Sequence, residues 1–396
     1  MTLPARRPHV VFAGGGTAGH LFPGLAVAAR MRSLEPQLRI TFIGTGRTFE
    51  SERVLAAGYE YLALPCRPLP RRARDTFRFV ADNLLGYCAA RRYLRRESVH
   101  LVIGLGGYAS VPTARAAISR RIPFMLLEQN AVPGRATRWL APRAALVCGA
   151  FAEVRQSLNP KVRLEITGNP LHANFEALRR RSLAAERAAS STPPQLLILG
   201  GSGGARSLNQ HVPPAIHKAG AALAGWTIVH QCGQRDVEAT AALYSQLGLK
   251  ARVTPFIDDM AAILAATDLA ISRAGGTTLA ELAAAQVPSI LLPYPHATDD
   301  HQLRNAEFFQ AAGACRVIGE RTAVGGIGGE VEGQRCEHLA AEVRLLAVDR
   351  ALRQRIGTAA RTIANLDAAE SVSDRGLKLV NAAAARTKHI SAGLEE

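Results

Sequence analysis

The sequence predicts an α/β protein made of two doubly wound halves, each with its own parallel sheet, and three observations carry that reading. Short β-branched or leucine-rich runs alternate with alanine-rich helical patterns along the 396 residues, as βαβ units do. The alternation breaks around Thr167-Gly168-Asn169-Pro170 and the stretch ending Ser191-Thr192-Pro193-Pro194, then restarts. Each half opens with a glycine-rich turn directly after its first apolar run. The two sheets are therefore expected to face a central cleft, the natural place for a ligand.

In the first half the strand candidates are residues 10–13, 40–43, 101–103, 124–127 and 145–148. In the second they are 195–199, 227–230, 252–255, 269–272 and 289–292. Residues 322–334 are rich in glycine and read as a surface loop. From Leu339 onward the pattern is helical, and the last helix is expected to cross back onto the first half.

Composition excludes several classes. A hydrophobic content of 48% with 20% charged residues is that of a globular chain, not a disordered one. The formal charge of +16 implies an anionic partner: nucleic acid, a phosphorylated substrate or an acidic membrane surface. At 5% aromatic residues, base-stacking surfaces are not expected, and no helix-turn-helix or RNA-binding motif is present. The six cysteines (Cys66, Cys88, Cys148, Cys232, Cys315, Cys336) form no C-x-x-C pair, which speaks against a disulfide framework or a zinc site. No run approaches the roughly 20 apolar residues of a membrane span, and the apolar segment after Arg6 and Arg7 is too short for a signal peptide.

The first glycine turn, Gly14-Gly15-Gly16-Thr17-Ala18-Gly19-His20, reads as a phosphate cradle with a base at its lip. Glycines let the backbone approach a ligand, the following helix N-terminus favours negative charge, and His20 can exchange a proton near neutral pH. The same residues also suit a plain βα turn with a solvated histidine. The run ending at Ile43 leads into Gly44-Thr45-Gly46 and not into an acidic residue, which counts against a nicotinamide-binding unit. Farther on, Gly106-Gly107-Tyr108 and Glu128-Gln129-Asn130 each follow a strand, and Glu128 reads either as an acid/base partner or as a loop cap.

In the second half, Arg273 leads into Gly275, Gly276, Thr277, Thr278, Leu279, Ala280 and Glu281, a strand end, a glycine turn and a helix start. The free amides suit a diphosphate. Glu281 is spaced to accept hydrogen bonds from the vicinal hydroxyls of a ribose, or simply to complement the helix dipole. Gln302, just beyond another strand end, suits sugar hydroxyls.

Taken together, Gly14 to His20 with Phe22-Pro23, Gly106-Gly107-Tyr108, Glu128-Gln129-Asn130, Gly168-Asn169-Pro170, Gly200 to Ala205, Arg273 to Glu281 and His301-Gln302 resemble the MurG family of N-acetylglucosamine transferases. The resemblance implies a GT-B fold of two Rossmann-like domains. It divides the chain into an acceptor and membrane-side domain (1–168), a UDP-sugar-binding domain (169–364) and a returning C-terminal helix (365–396). It implies inverting transfer of N-acetylglucosamine from UDP-N-acetylglucosamine to the C4 hydroxyl of the N-acetylmuramyl group of lipid I, giving lipid II in peptidoglycan synthesis. The implied place is the cytoplasmic face of the cell membrane, held peripherally.

Carried over by motif, Thr17, Ala18, Gly19 and Asn130 would touch the donor sugar or its phosphates, and His20 and Glu128 would be catalytic. Ser202 and the turn at Gly276 to Ala280 would bind diphosphate, Ile257 the uracil, Glu281 the ribose and Gln302 the sugar, with Gly106, Gly107 and Tyr108 as the acceptor loop. No cofactor, metal or nucleic acid is implied, and there is no D-x-D triplet. Four positions depart from the family pattern: Ala18 for Gly, Gly203 for Gln, Leu127 for His, and His172 where an Arg commonly reaches the diphosphate. Arg206 or Arg273 is expected to take over that charge.

Residues 75–96 read as an amphipathic helix, with Phe77, Val80, Leu84, Tyr87 and Cys88 on the core face and Phe79 and Leu85 toward lipid. Arg71, Arg72, Arg74, Arg91, Arg92, Arg95 and Arg96 flank it, each worth about 1 kcal/mol near anionic headgroups. On sequence alone, another GT-B enzyme acting on a lipid or sterol, a nucleotide-sugar epimerase, or a basic nucleotide- or nucleic-acid-binding regulator remain alternatives.

Overall fold

A computed structural model describes residues 7–70, 72–178, 183, 187, 192–201, 203–319 and 332–392. The chain divides into two compact units, the first Met1–His172 with Asp367–Glu396, the second Ala173–Leu366.

The first unit holds a seven-stranded parallel sheet: β1 (His9–Ala13), β2 (Arg39–Gly44), β3 (Glu60–Ala63), β4 (Leu101–Gly104), β5 (Phe124–Glu128), β6 (Leu146–Gly149) and β7 (Leu164–Ile166). Their spatial order is β3-β2-β1-β4-β5-β6-β7. The helices between them are α1 (Ala18–Leu34), α2 (Thr48–Ala56), α3 (Thr76–Arg96), α4 (Val111–Ser119) and α5 (Arg135–Leu140). β4, and β1 after His9, are wholly buried apolar runs, as central parallel strands are when helices cover both faces. Val10, Phe12, Ile103, Met125 and Leu21 build the core, with Phe12 stacked on Phe42 at 4.9 Å.

The second unit repeats the plan with β8 (Gln195–Leu199), β9 (Thr227–Gln231), β10 (Arg252–Thr254), β11 (Leu269–Ser272), β12 (Ser289–Leu291) and β13 (Arg316–Val317), ordered β10-β9-β8-β11-β12-β13. Its helices are α6 (Arg206–Ala219), α7 (Val237–Gln246), α8 (Met260–Ala265), α9 (Gly276–Ala284), α10 (His301–Ala311), α11 (Glu332–Val348) and α12 (Arg350–Ile363). The closing helix α13 (Ala368–Ala392) packs on α1: Arg30 pairs with Glu370 at 3.0 Å, and Val372 and Val380 enter the first core. Most of the glycine-rich stretch expected as a loop at 322–334 lies outside the described residues; Glu332 to Gln334 belong to α11.

Both sheets thus reverse strand order next to their first strand, between β1 and β4 and between β8 and β11. In open parallel sheets such a switch point leaves a crevice at the carboxyl ends of the strands. The turns after β1, β4, β8 and β11 are the glycine-rich ones.

One expected face is turned round. Along α3, Phe77, Val80, Leu84 and Leu85 are exposed, by 82, 53, 58 and 60%, and Cys88 is exposed with them, while Phe79 and Tyr87 are half-buried. The buried face is Gly86, Ala90 and Leu94. The reason is close packing: a Cβ at Gly86 would collide with the Pro65 carbonyl oxygen, so small residues let α3 approach its neighbours, and the apolar stripe is left outside.

Candidate active site

In the first unit the chain leaves β1 through three glycines with φ of +128°, +142° and +89°, a conformation that side chains rarely adopt. The Gly14 amide bonds the Ile43 carbonyl (2.9 Å), and the Gly16 amide bonds Glu50 Oε1 (2.5 Å). Two of the amides expected to cradle phosphate are therefore occupied, one by a carboxylate. Thr17 then caps α1 with extended backbone, and Ala18 begins the helix at negative φ, so the alanine in place of glycine is accommodated. Gly19 follows in the first turn.

His20 is half-buried, with Nδ1 2.9 Å from Thr17 Oγ1. Its ring lies against the turn after β4: a Cβ on Gly106 would sit 2.9 Å from His20 Cδ2, and one on Gly107 would be 4.0 Å from Cε1. Glycine at 106 makes room for the imidazole, whereas a Cβ at 107 would only touch it. Ser110, buried, fixes this turn by donating to the Gly107 carbonyl (2.8 Å), and Tyr108 beside it is half-buried, its phenol pushed up by burial. Thr17, His20, Gly106, Gly107 and Tyr108 therefore form one cluster at the β1/β4 switch point.

Glu128, 5% exposed at the end of β5, organises its own loop: Oε1 accepts from the Asn130 amide (3.1 Å) and Oε2 from the Gly134 amide (3.1 Å). Burial pushes its carboxyl up, while these amides pull the other way. Asn130, half-buried, is held by the same carboxylate (3.4 Å). His172 is exposed at the last position of this stretch of the unit.

In the second unit, Gly200 bonds the Gln231 carbonyl (3.1 Å) and Gly204, at φ +74°, closes the turn onto Gly201 (3.1 Å). Ser202 lies outside the described residues. Arg206, exposed, opens α6. Beneath this turn sits a polar network. Buried Asn209 donates to the Cys232 carbonyl (3.0 Å) and to Asp236 (2.8 Å), and its Oδ1 meets His230 Nε2 (3.1 Å). Burial pushes the His230 ring down to about 4, so it is uncharged at neutral pH.

The turn after β11 gives α9 an N-terminus at Gly276, Thr277 and Thr278. Leu279, fully buried, has its amide on the Gly275 carbonyl (3.0 Å), so the first-turn donors are those of the three residues before it, with Ala280 behind. Asn305, buried, holds the turn by donating to the Ala274 carbonyl (2.9 Å). Half-buried Glu281 has its carboxyl pushed up to about 8 by burial. Gln302 accepts from the Tyr294 amide (2.9 Å) through Oε1, which turns its NH2 outward as a donor. Ile257 is half-buried between β10 and α8, where Asp259 caps α8 through the Ala262 amide (3.0 Å).

Arg273 does not offer the expected free charge. It is 8% exposed, donates to the Leu292 carbonyl (2.7 Å) and to Ser207 Oγ, and lies over the Tyr294 ring (5.5 Å). It ties three strand-end segments together, and Arg206 is the arginine left exposed at the glycine turn. Two residues with evident tasks escaped sequence reading, Glu50 and Asn209; neither lies within a glycine motif, although Glu50 follows Gly44-Thr45-Gly46 closely.

The chain matches the glycosyltransferase family 28 N-terminal domain over residues 10–148 and the C-terminal domain of that family over residues 195–326. It is 38% identical over 368 residues to the UDP-N-acetylglucosamine–N-acetylmuramyl-(pentapeptide) pyrophosphoryl-undecaprenol N-acetylglucosamine transferase of Geobacter sulfurreducens, covering 92% of this chain and 97% of that one. The chain belongs to the MurG family. The Sorangium cellulosum enzyme of the same name is 40% identical, with 94% of this chain and 89% of that one covered. The crystal structure of Acinetobacter baumannii MurG superposes with a TM-score of 0.73 at 31% identity, covering 94% and 99% of the two chains. As a MurG-family member with GT-B architecture, the chain is an N-acetylglucosamine transferase of peptidoglycan synthesis.

Proposed function

We propose that this chain moves N-acetylglucosamine from UDP-N-acetylglucosamine to the C4 hydroxyl of the N-acetylmuramyl group of lipid I with inversion, using the second unit for the donor and the first for the acceptor. Glycine turns at the switch points of both sheets support a ligand site in each unit, and the exposed Arg206 beside the β8 turn supports the anionic donor in the second. The first-turn amides of α9, with Ser202 and Arg206 of the β8 turn, receive the diphosphate; Arg206 replaces the charge that His172 does not supply. Ile257 packs on the uracil, Glu281 accepts the ribose hydroxyls, and Gln302 donates to a sugar hydroxyl.

His20 is the base. In the tautomer whose Nδ1–H donates to Thr17 Oγ1, Nε2 takes the C4 proton as the hydroxyl attacks the anomeric carbon and UDP departs. Helix N-termini and preorganised amides stabilise the charge that grows on the leaving diphosphate. Glu128 acts by holding Asn130 and its loop, and Tyr108 lies at the acceptor side. Conversion of a lipid I analogue and UDP-N-acetylglucosamine to the disaccharide lipid by the purified chain, followed by mass, tests the reading; absence of product with bound UDP overturns it.

The acceptor's lipid sits in a membrane, and no helix among the described residues is long and apolar enough to cross one. We infer that α3 rests on the anionic surface instead. Phe77, Val80, Leu84 and Leu85 supply the exposed apolar stripe, and Arg72, Arg74, Arg91, Arg92, Arg95 and Arg96 are all exposed around it. Arg71 lies outside the described residues.

A further inference from the structure

We propose that Glu50 is a positioning residue of the transfer reaction, acting through Gly16 on Thr17 and His20; this rests on the reading of His20 as the base. Glu50 is 1% exposed near the start of α2. Its carboxylate accepts four hydrogen bonds: the Gly16 amide (2.5 Å) and Thr45 hydroxyl (2.8 Å) on Oε1, the Thr45 amide (2.8 Å) and Tyr61 hydroxyl (2.7 Å) on Oε2. From the same helix entrance, Arg47 Nη1 donates to the Gly16 carbonyl (2.8 Å). Residue 16 is thus gripped at both its N–H and its C=O.

The next residue is Thr17, whose hydroxyl meets His20 Nδ1 and whose carbonyl accepts the His20 amide (3.2 Å). The bonded path from Glu50 to the imidazole is therefore three residues long. The surroundings are shaped for a carboxylate: a Cβ at Gly44 would collide with Glu50 Oε2 and the Tyr61 hydroxyl, and one at Gly15 would lie 3.2 Å from Glu50 Cδ. Four donors face Glu50, so an amide bringing two N–H groups of its own cannot satisfy them. A carboxylate directly behind Gly16 also disfavours phosphate at the loop, leaving it to orient a neutral hydroxyl and the base.

The test is Glu50→Gln in the full chain, assayed with UDP-N-acetylglucosamine and a lipid I analogue. The expected result is a kcat about 10- to 100-fold lower, with KM for the UDP-sugar and Kd for UDP within about twofold, since those belong to the second unit. On a His20→Ala background the same change should add less than about twofold, because it acts through that ring. A kcat within twofold of the parent, or an equal loss on both backgrounds, overturns the proposal. If Glu50→Gln fails to fold, judged by circular dichroism and loss of a cooperative melting transition of the first unit, Arg47→Ala replaces it: a kcat at least about threefold lower with unchanged KM supports the grip on Gly16, and an unchanged kcat overturns it. A full-rate His20→Ala enzyme sinks the base assignment itself, whereas a slow His20→Ala with a full-rate Glu50→Gln sinks only the role of Glu50.

Discussion

The two glycine turns that open the two units look alike in sequence and differ in what lies behind them. The turn after β1 is pinned by a buried carboxylate, and its Gly14 and Gly16 amides are used internally. The turn after β8 rests on the Asn209 and His230 network, whose imidazole is neutral, and leads to exposed Arg206. A carboxylate stands near both turns, but Glu50 bonds the glycine backbone of the first directly, whereas Asp236 near the second bonds Asn209. A glycine-rich strand-to-helix turn says that something approaches the backbone closely; the charge beneath it decides whether that something can be an anion.

The largest expected effect breaks the comparison at the first turn. His20→Ala should lower kcat by about 10²- to 10⁴-fold while calorimetry finds UDP affinity unchanged, because the base serves the acceptor and not the nucleotide. At the second turn, Gly204→Ala places a Cβ against the Cys232 carbonyl at positive φ, at a cost of about 1–3 kcal/mol. UDP affinity should fall about tenfold or more. Gly203→Ala meets open space and should change it by less than about twofold.

Next comes pH. The free enzyme holds the Glu281 carboxyl protonated up to about 8, against an ordinary value of 4.5, while a ribose diol needs the carboxylate as acceptor. UDP affinity should therefore rise from pH 6 to a plateau above pH 8, with proton uptake by buffer on binding at pH 7, and Glu281→Gln should flatten the curve. Without nucleotide the sign reverses for folding: the raised value contributes stability that is complete below 4.5 and lost as pH climbs through 8. A melting temperature that falls across that window checks it. The smallest effect concerns α3, where reversing Arg91, Arg92, Arg95 and Arg96 to Glu should weaken sedimentation with anionic vesicles and spare UDP binding. Equal sedimentation removes the surface from the account.

Of the thirteen strands among the described residues ten were legible, most of them as apolar runs, because a strand covered on both faces must be largely apolar. The three that were not, β3, β7 and β13, all lie at sheet edges, where Glu60 and Arg316 are exposed, Glu165 pairs with Arg375, and shortness hides the pattern. Periodicity misassigned α3 for a related reason: it finds a stripe of large side chains but cannot see that Gly86 and Ala90 let the opposite face pack more closely. Of the site, the turns were legible and their undersides were not. Glu50 and Asn209 sit in helices whose sequences give no hint of what they hold, and the guanidinium of Arg273 is spent on Leu292 and Ser207 rather than on a ligand.

The return of α13 to α1 has a consequence for biogenesis. Residues 173–366 are contiguous and can complete their core as soon as they leave the ribosome, whereas the amino-terminal unit still lacks Val372 and Val380 against Met31 and Leu101. The half made first is finished last. A nascent chain stalled before residue 367 would carry a closed second unit tethered to an open first one, a natural substrate for chaperones and proteases.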